Sequence, residues 1–178
     1  MMKKTLIAAL LLIAGVTQAQ IGIKGGANFS NIDGKIGGTE LETKISYHIG
    51  AFWEIPILDG LAFQPEILYS VQGANIDSSH PLDNIDLKYL NVPMMLKLYI
   101  MSHKLSIEAG PQFGYLTDHN LDKVIETEDF DFSLAGGISV YVTKSIFIQG
   151  RYIAGMNEFS KDAEVKNRNI QLSLGIKF

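Results

Sequence analysis

Cysteine is absent from all 178 residues, which removes disulfide scaffolds, thiolate metal sites and cysteine nucleophiles. Charge is sparse: 15 Lys and Arg stand against 19 Asp and Glu, a net −4. There is no basic stripe of the kind a nucleic-acid binder needs, so no nucleic-acid partner is expected. Long apolar runs are missing from all but the extreme N-terminus, which excludes helical spans of about 20 apolar residues. The length allows one ordinary domain. What remains is a chain with 17 Gly, nine Phe and seven Tyr and few charges, a composition that points to strands.

Residues 1–19 have the layout of a secretory signal peptide. Lys3 and Lys4 form a basic start, Leu6 to Val16 an apolar stretch, and Thr17-Gln18-Ala19 a cleavage site with a small last residue. The apolar stretch is too short to span a membrane comfortably. Cleavage before Gln20 leaves residues 20–178 as the mature domain, with 13 bases against 19 acids. No cysteine follows the apolar stretch, so a lipoprotein anchor is excluded.

The mature chain alternates with period two, the pattern of half-buried strands. Ile170, Leu172, Leu174, Ile176 and Phe178 form one apolar row, with Asn169, Gln171, Ser173, Gly175 and Lys177 between them. Segments 45–55, 63–72, 105–116 and 130–142 split in the same way, as do 21–30 and 146–155. Segment 87–100 is apolar on both phases and reads as a strand with a bulge at Pro93. That makes about eight strands of the ~9–11 residues that suit a tilted membrane span. Connections alternate too. Long ones near 32–43, 75–84, 117–129 and 157–168 are separated by turns at Leu58-Asp59-Gly60, Ser102-His103-Lys104 and Thr143-Lys144-Ser145. The expected fold is all-β: an eight-stranded antiparallel up-and-down transmembrane β-barrel, with short turns in the periplasm and long loops outside.

A soluble eight-stranded barrel would turn its apolar rows inward. Here those rows are too bulky, since eight strands enclose only enough room for side chains to fill. The opposite rows are rich in Gly and Ser. Aromatic residues on the apolar rows gather in two girdles, as at the two interfaces of a membrane barrel. Phe29, Tyr47, Tyr69, Tyr115, Phe130 and Tyr152 fall towards the long loops, and Trp53, Phe63 and Phe178 towards the short turns. The expected site is therefore the cell outer membrane, with outer-membrane lipid and lipopolysaccharide as surroundings.

Several segments resemble one family. Tyr89-Leu90-Asn91-Val92-Pro93-Met94-Met95-Leu96-Lys97 looks like the YL-x-[IV]-P-(apolar)3-K strand of PorT-type outer-membrane β-barrels from Bacteroidetes. Gly110 to Leu116 is similar to that family's following strand, Gly22 to Ser30 to its first, and Leu174 to Phe178 to its last. The resemblance covers essentially the whole mature chain. It implies a Gram-negative outer-membrane barrel and, through the longer namesake subgroup, a link to the type IX secretion system.

Candidate chemistry is thin. The inward rows carry Lys24, Lys97, Arg151 and Lys177 with Glu54, Glu66, Glu108 and Asp131. Unpaired charges in a confined lumen are costly, so these eight read as a structural charge network; a lined ion path is the functional alternative. Ser46 and His48 share a face, which invites an esterase reading such as lipid A deacylation, but no third group to orient the imidazole is apparent. Gly22, Gly25 and Gly26 lack the GK[ST] ending of a phosphate loop. His80, His103 and His119 are scattered without ligand spacing, so no metal and no cofactor are expected. Asp118, Asp122, Glu126, Glu128 and Asp129 make loop 117–129 acidic, either merely solvated or bridged weakly to lipopolysaccharide by divalent cations. The row from Ile170 to Phe178, ending on an aromatic residue, resembles the signal read by the barrel-assembly machinery, an expected partner during biogenesis. The leading expectation is a small non-enzymatic barrel with a structural or interaction role, meeting a protein partner through its outer loops. A narrow channel or type IX secretion component is the alternative, and a lipid-modifying enzyme the third.

Overall fold

A period-two sequence can pair its backbone in lipid only if the sheet closes, because an open edge would leave N–H and C=O groups without partners. In the computed structural model the sheet does close. The structure describes residues 20–33, 35–36, 39–76, 84–101, 103–119, 130–156 and 166–178; the segment read as a signal peptide lies outside them. The strands are β1 (Gln20–Asp33), β2 (Lys35–Ile36), β3 (Thr39–Leu58), β4 (Leu61–Ile76), β5 (Asn84–Ile100), β6 (Leu105–His119), β7 (Phe130–Tyr141), β8 (Ile146–Gly155) and β9 (Lys166–Lys177). Every neighbour pairs antiparallel, and β1 bonds to both β3 and β9, which closes eight strands into a barrel. The ninth element, β2, only extends the hairpin into β3. There is no helix among the described residues.

Two expectations need correction. The strands are longer than a membrane span requires: β3 has 20 residues, β5 17 and β4 16. Pairing continues beyond the apolar band on the long-loop side, through Asp33 with Lys166, Leu41 with Ile76 and Asn75 with Asn84. Much of segment 32–43 is therefore strand and not loop, because a ladder that is already aligned extends at little added entropy. The bulge expected at Pro93 is elsewhere. Pro93 pairs with Gln112 in an unbroken register, and the irregularity of this pair of strands falls between Lys88 and Tyr89.

Inside and outside are inverted relative to a soluble barrel. The rows of Ile, Leu, Tyr and Phe face outward: Tyr47 is 56% and Leu174 60% exposed. The lumen instead buries Lys24, Glu66, Lys97, Glu108 and Arg151, with Phe52, Leu68, Met95 and Phe147 packed among them. In water such an exterior would be an aggregation surface. In a bilayer it is the surface that removes no polar group from its partners.

Candidate functional site

The middle of the lumen is bridged by one guanidinium. Arg151 projects inward from β8 and spans to β6 and β4. Its Nε donates to Glu108 Oε1 at 2.9 Å, while Nη1 and Nη2 donate to the two oxygens of Glu66 at 2.8 and 2.7 Å. Nη2 also donates to Glu108. Lys24 on β1 completes the group, 2.8 Å from Glu66 Oε2 and 2.8 Å from Gln149 Oε1. Gln149 Nε2 returns to both oxygens of Glu108 at 3.0 Å, and Gln64 Nε2 donates to Glu66 Oε1 at 2.7 Å. Two cations and two anions thus neutralise one another with their side chains wholly out of solvent. A fork that meets carboxylates on two strands suits arginine, since its donors lie in one rigid plane.

A second cluster lies towards the short turns. Lys177 Nζ donates to Glu54 Oε1 at 2.9 Å, and Tyr99 Oη donates to Glu54 Oε2 at 2.6 Å. Lys97 Nζ is 3.5 Å from Glu54, donates to Gln64 Oε1 at 2.9 Å, and sits 5.1 to 5.7 Å from the ring centres of Phe147, Tyr141 and Tyr99. Tyr99 and Tyr141 share a hydroxyl contact at 3.0 Å. This layer is the floor of a bowl of about 910 Å³ that opens among the short turns and is lined also by His103, Lys104 and Lys144. Seven of the eight inward charges expected from sequence therefore meet in two groups. Asp131 does not join them: it lies higher on β7 and accepts a hydrogen bond from Ser133 Oγ at 3.0 Å. Phase fixes the face of a residue but not its height, so an inward acid can miss its bases. Tyr99, Gln149 and Gln64 were not singled out by sequence, although period two from Lys97, Arg151 and Glu66 puts them on the same rows.

Towards the long loops the lumen is polar and, Asp131 apart, its buried side chains are uncharged. Ser46 and His48 both face inward but do not pair. Ser46 Oγ donates to the carbonyl of Val71, while the imidazole lies between Asn28 and Ser173, with Nδ1 2.8 Å from Asn28 Oδ1 and Nε2 2.8 Å from Ser173 Oγ. The group orienting His48, hidden from the sequence, is Asn28 on the inward phase of β1. Asn28 is fixed in turn by donating to Tyr47 O, Ser70 Oγ and Val71 O, and by accepting from Gln171 Nε2. The distances are those of a nucleophile–base–orienter relay. Ser173, His48 and Asn28 are, however, 2, 1 and 0% exposed, so no ester carbonyl has room beside the hydroxyl.

On the outer face, Phe29, Tyr47, Trp53, Phe63, Tyr69, Tyr115, Phe130, Tyr152 and Phe178 all occupy outward positions, fully or partly exposed. Tyr47 and Tyr69 lie 6.4 Å apart between ring centres. Ile170, Leu172, Leu174 and Ile176 form one exposed row on β9, and Phe178 N donates to Ile21 O at 2.8 Å. Of the acidic loop, residues 120–129 and with them Asp122, Glu126, Glu128 and Asp129 lie outside the described residues, as does His80. Asp118 pairs with Lys88 at 2.7 Å on the surface. His103 is exposed in its turn and packs on Tyr99, 4.9 Å between ring centres. Among the described residues no three His, Asp or Glu side chains are grouped to hold a metal ion.

A closed eight-stranded barrel with an apolar exterior and a charged interior defines a class, and family comparison agrees. The outer membrane protein beta-barrel domain matches residues 16–161. The chain belongs to that family. It is an outer-membrane protein. Ail, the attachment invasion locus protein of Yersinia pestis, solved with the heparin analogue sucrose octasulfate, superposes with a TM-score of 0.58 at 14% identity, covering 90% of this chain and 99% of Ail. Neisserial surface protein A gives 0.56 at 10% identity, with 90% and 99% covered. OprG from Pseudomonas aeruginosa gives 0.56 at 14% identity, with 90% and 96% covered. At these identities the likeness is one of fold. No curated protein sequence matches the chain.

Proposed function

We propose that this barrel is a non-conducting, non-enzymatic outer-membrane scaffold that acts through its extracellular loops on a protein partner. The observation that carries the reading is the lumen plug of Lys24, Glu66, Glu108 and Arg151, whose side chains are wholly buried. Eight strands leave no bore beyond what side chains fill, and here the filling is cross-bonded from wall to wall. The sealed surroundings of Ser173 and His48 argue against acyl transfer. Purified wild-type protein in planar bilayers should show no steady ohmic conductance, whereas pull-down with displayed loops should recover a partner. Steady conductance would overturn the scaffold reading and promote the channel.

The finer placement among PorT-type barrels of Bacteroidetes rests on the Tyr89–Lys97 strand, and export on the signal-peptide pattern of residues 1–19. The last strand serves, in this proposal, as the sequence presented to the barrel-assembly machinery. Its support is the outward row of Ile170, Leu172, Leu174, Ile176 and Phe178, with Phe178 at the seam against β1. Deleting Phe178 should lower outer-membrane abundance in cells several-fold, yet leave refolding in detergent nearly unchanged. Normal abundance of the truncated protein in the membrane would refute that role.

A further inference from the structure

The eight inward charges balance in the sequence, four of each sign, but they do not balance in the barrel. Lys24 and Arg151 close with Glu66 and Glu108, two cations with two anions. Asp131, the fourth acid, stands towards the long loops and accepts from Ser133. Lys97 and Lys177 are left to share Glu54, at 3.5 and 2.9 Å. Lys97 also lies opposite Glu108 in the ladder, but counting that neighbour leaves the sum unchanged. From the middle of the lumen to the short turns, four cations face three anions. The side chains of Lys97, Glu54 and Lys177 are 0, 6 and 12% exposed, so water screens little of the surplus. A buried charge without a counter-charge is costly. The member of this group that an anion can reach is Lys177, on the floor of the bowl among the short turns.

The lining of the bowl bears on the kind of anion. Lys104 and Lys144 come to its wall from two different turns, and neither makes an ion pair among the described residues. Asp59 and the terminal carboxylate of Phe178, both exposed, also line the bowl without an ion pair among the described residues. The rim is thus balanced, and the net charge is that of the floor. Lys177 commits two donors, to Glu54 and to Tyr99 Oη, and keeps a third. Donors that arrive from separate turns, each a point charge on a flexible stem, suit an anion that accepts from several directions. A phosphate does so. A planar carboxylate is better matched by the fork of an arginine, and no arginine lines the bowl. His103 adds a sign of function in the turn before β6. It holds a φ of 68°, a left-handed conformation that the turn before β4 gives to Gly60 at 78°, and its ring packs on Tyr99 of the floor. Such strain outside glycine persists only where the surroundings impose it.

We propose that the bowl is a binding site for one phosphate group, with Lys177 as the floor contact and Lys104 and Lys144 as the wall contacts. The inference concerns the short-turn end, goes beyond the scaffold reading and does not depend on a partner at the long loops. The test is calorimetric titration of the mature barrel in maltoside detergent with inorganic phosphate and with glycerol 3-phosphate, at an ionic strength held constant with chloride. Wild type should bind one equivalent of each. Lys177→Met should weaken binding by about ten-fold or more, the usual effect of losing a charge-assisted hydrogen bond. It should still fold, because Lys97 and Glu54 then remain as one charge of each sign. Glu54→Gln enlarges the surplus and should tighten binding several-fold, an opposite change that a merely structural cluster would not give. If Glu54→Gln does not fold, Lys144→Met in its exposed turn should weaken binding by about two- to three-fold. Lys88→Met, at the other end of the barrel, should leave binding unchanged. Native mass spectrometry of barrel released from phosphatidylglycerol nanodiscs separates the sources of the group. A retained phospholipid that inorganic phosphate displaces makes it a lipid headgroup; binding of the soluble probes with no retained lipid makes it a solute of the periplasm. Absence of saturable binding by either probe, equal affinity in Lys177→Met, or equal competition by chloride would overturn the proposal.

Discussion

Replacing Arg151 with methionine should destabilise the barrel by about 3–5 kcal/mol, the usual cost of removing one member of a buried ion cluster. The guanidinium is shared by Glu66 and Glu108. Without it Glu66 keeps Lys24 at 2.8 Å, whereas Glu108 keeps the Gln149 amide as its hydrogen-bond partner and has Lys97, opposite it on β5, as a neighbouring cation. One buried carboxylate then loses its hydrogen-bonded cation, and the lumen offers it no solvent in exchange. The double variant Arg151→Met with Glu108→Gln removes one charge of each sign and leaves the Lys24–Glu66 pair intact, so it should recover most of the loss. Guanidinium unfolding in detergent, followed by the fluorescence of Trp53, the single tryptophan, measures both. Lys97→Met should cost less, because Glu54 retains Lys177 and Tyr99. Breaking the surface pair of Lys88 and Asp118 should cost no more than ~1 kcal/mol. A loss below about 1 kcal/mol for Arg151→Met, or no recovery in the double variant, would show that the cluster is not the structural centre of the lumen.

The sequence made the two faces legible because period two is a local property: each residue from Ile170 to Phe178 declares its side without reference to any other strand. Heights and partners are not local. Arg151 and Glu66 are 85 positions apart and meet because closure sets β8 across from β4, which no single-strand pattern states. Asp131 shows the same limit from the other direction, with the right phase but the wrong level. Neutral residues were harder still. Asn28, Ser173 and Tyr99 lie on correctly read inward rows, but reading the lumen for charge passed over them, and only the assembled barrel brings Asn28 and Ser173 to the two nitrogens of His48. Strand length was the other failure, since pairing beyond the membrane depends on the partner strand and not on hydropathy.

Gly26→Ala should prevent the barrel from closing. Gly26 lies opposite Ser173 across the seam of β1 and β9, where the first and last strands of the barrel meet. A methyl group there would stand 1.9 Å from the carbonyl oxygen of Leu172 and 2.7 Å from the Cα of Ser173. Both atoms are backbone, so no rotamer change relieves the overlap and β9 itself must move. Overpacking usually costs ~1–3 kcal/mol, and a clash with main chain at the closing seam should reach or exceed the upper end. Gly175→Ala is a contrasting case: its methyl would meet the ring of Phe147 at 2.2 Å, and trimming that ring in Gly175→Ala with Phe147→Leu should restore folding. Gly150 faces outward with nothing within 4 Å, and alanine there should be neutral or stabilise by up to ~1 kcal/mol, since glycine is unfavourable inside a strand. The measurement is the fraction of heat-modifiable monomer after refolding into detergent. The expected order is Gly150→Ala at wild-type level, Gly175→Ala low but rescued by Phe147→Leu, and Gly26→Ala low without rescue by any side-chain change. Full folding of Gly26→Ala would mean that the β1–β9 seam yields, and that the barrel is held shut by the lumen cluster alone.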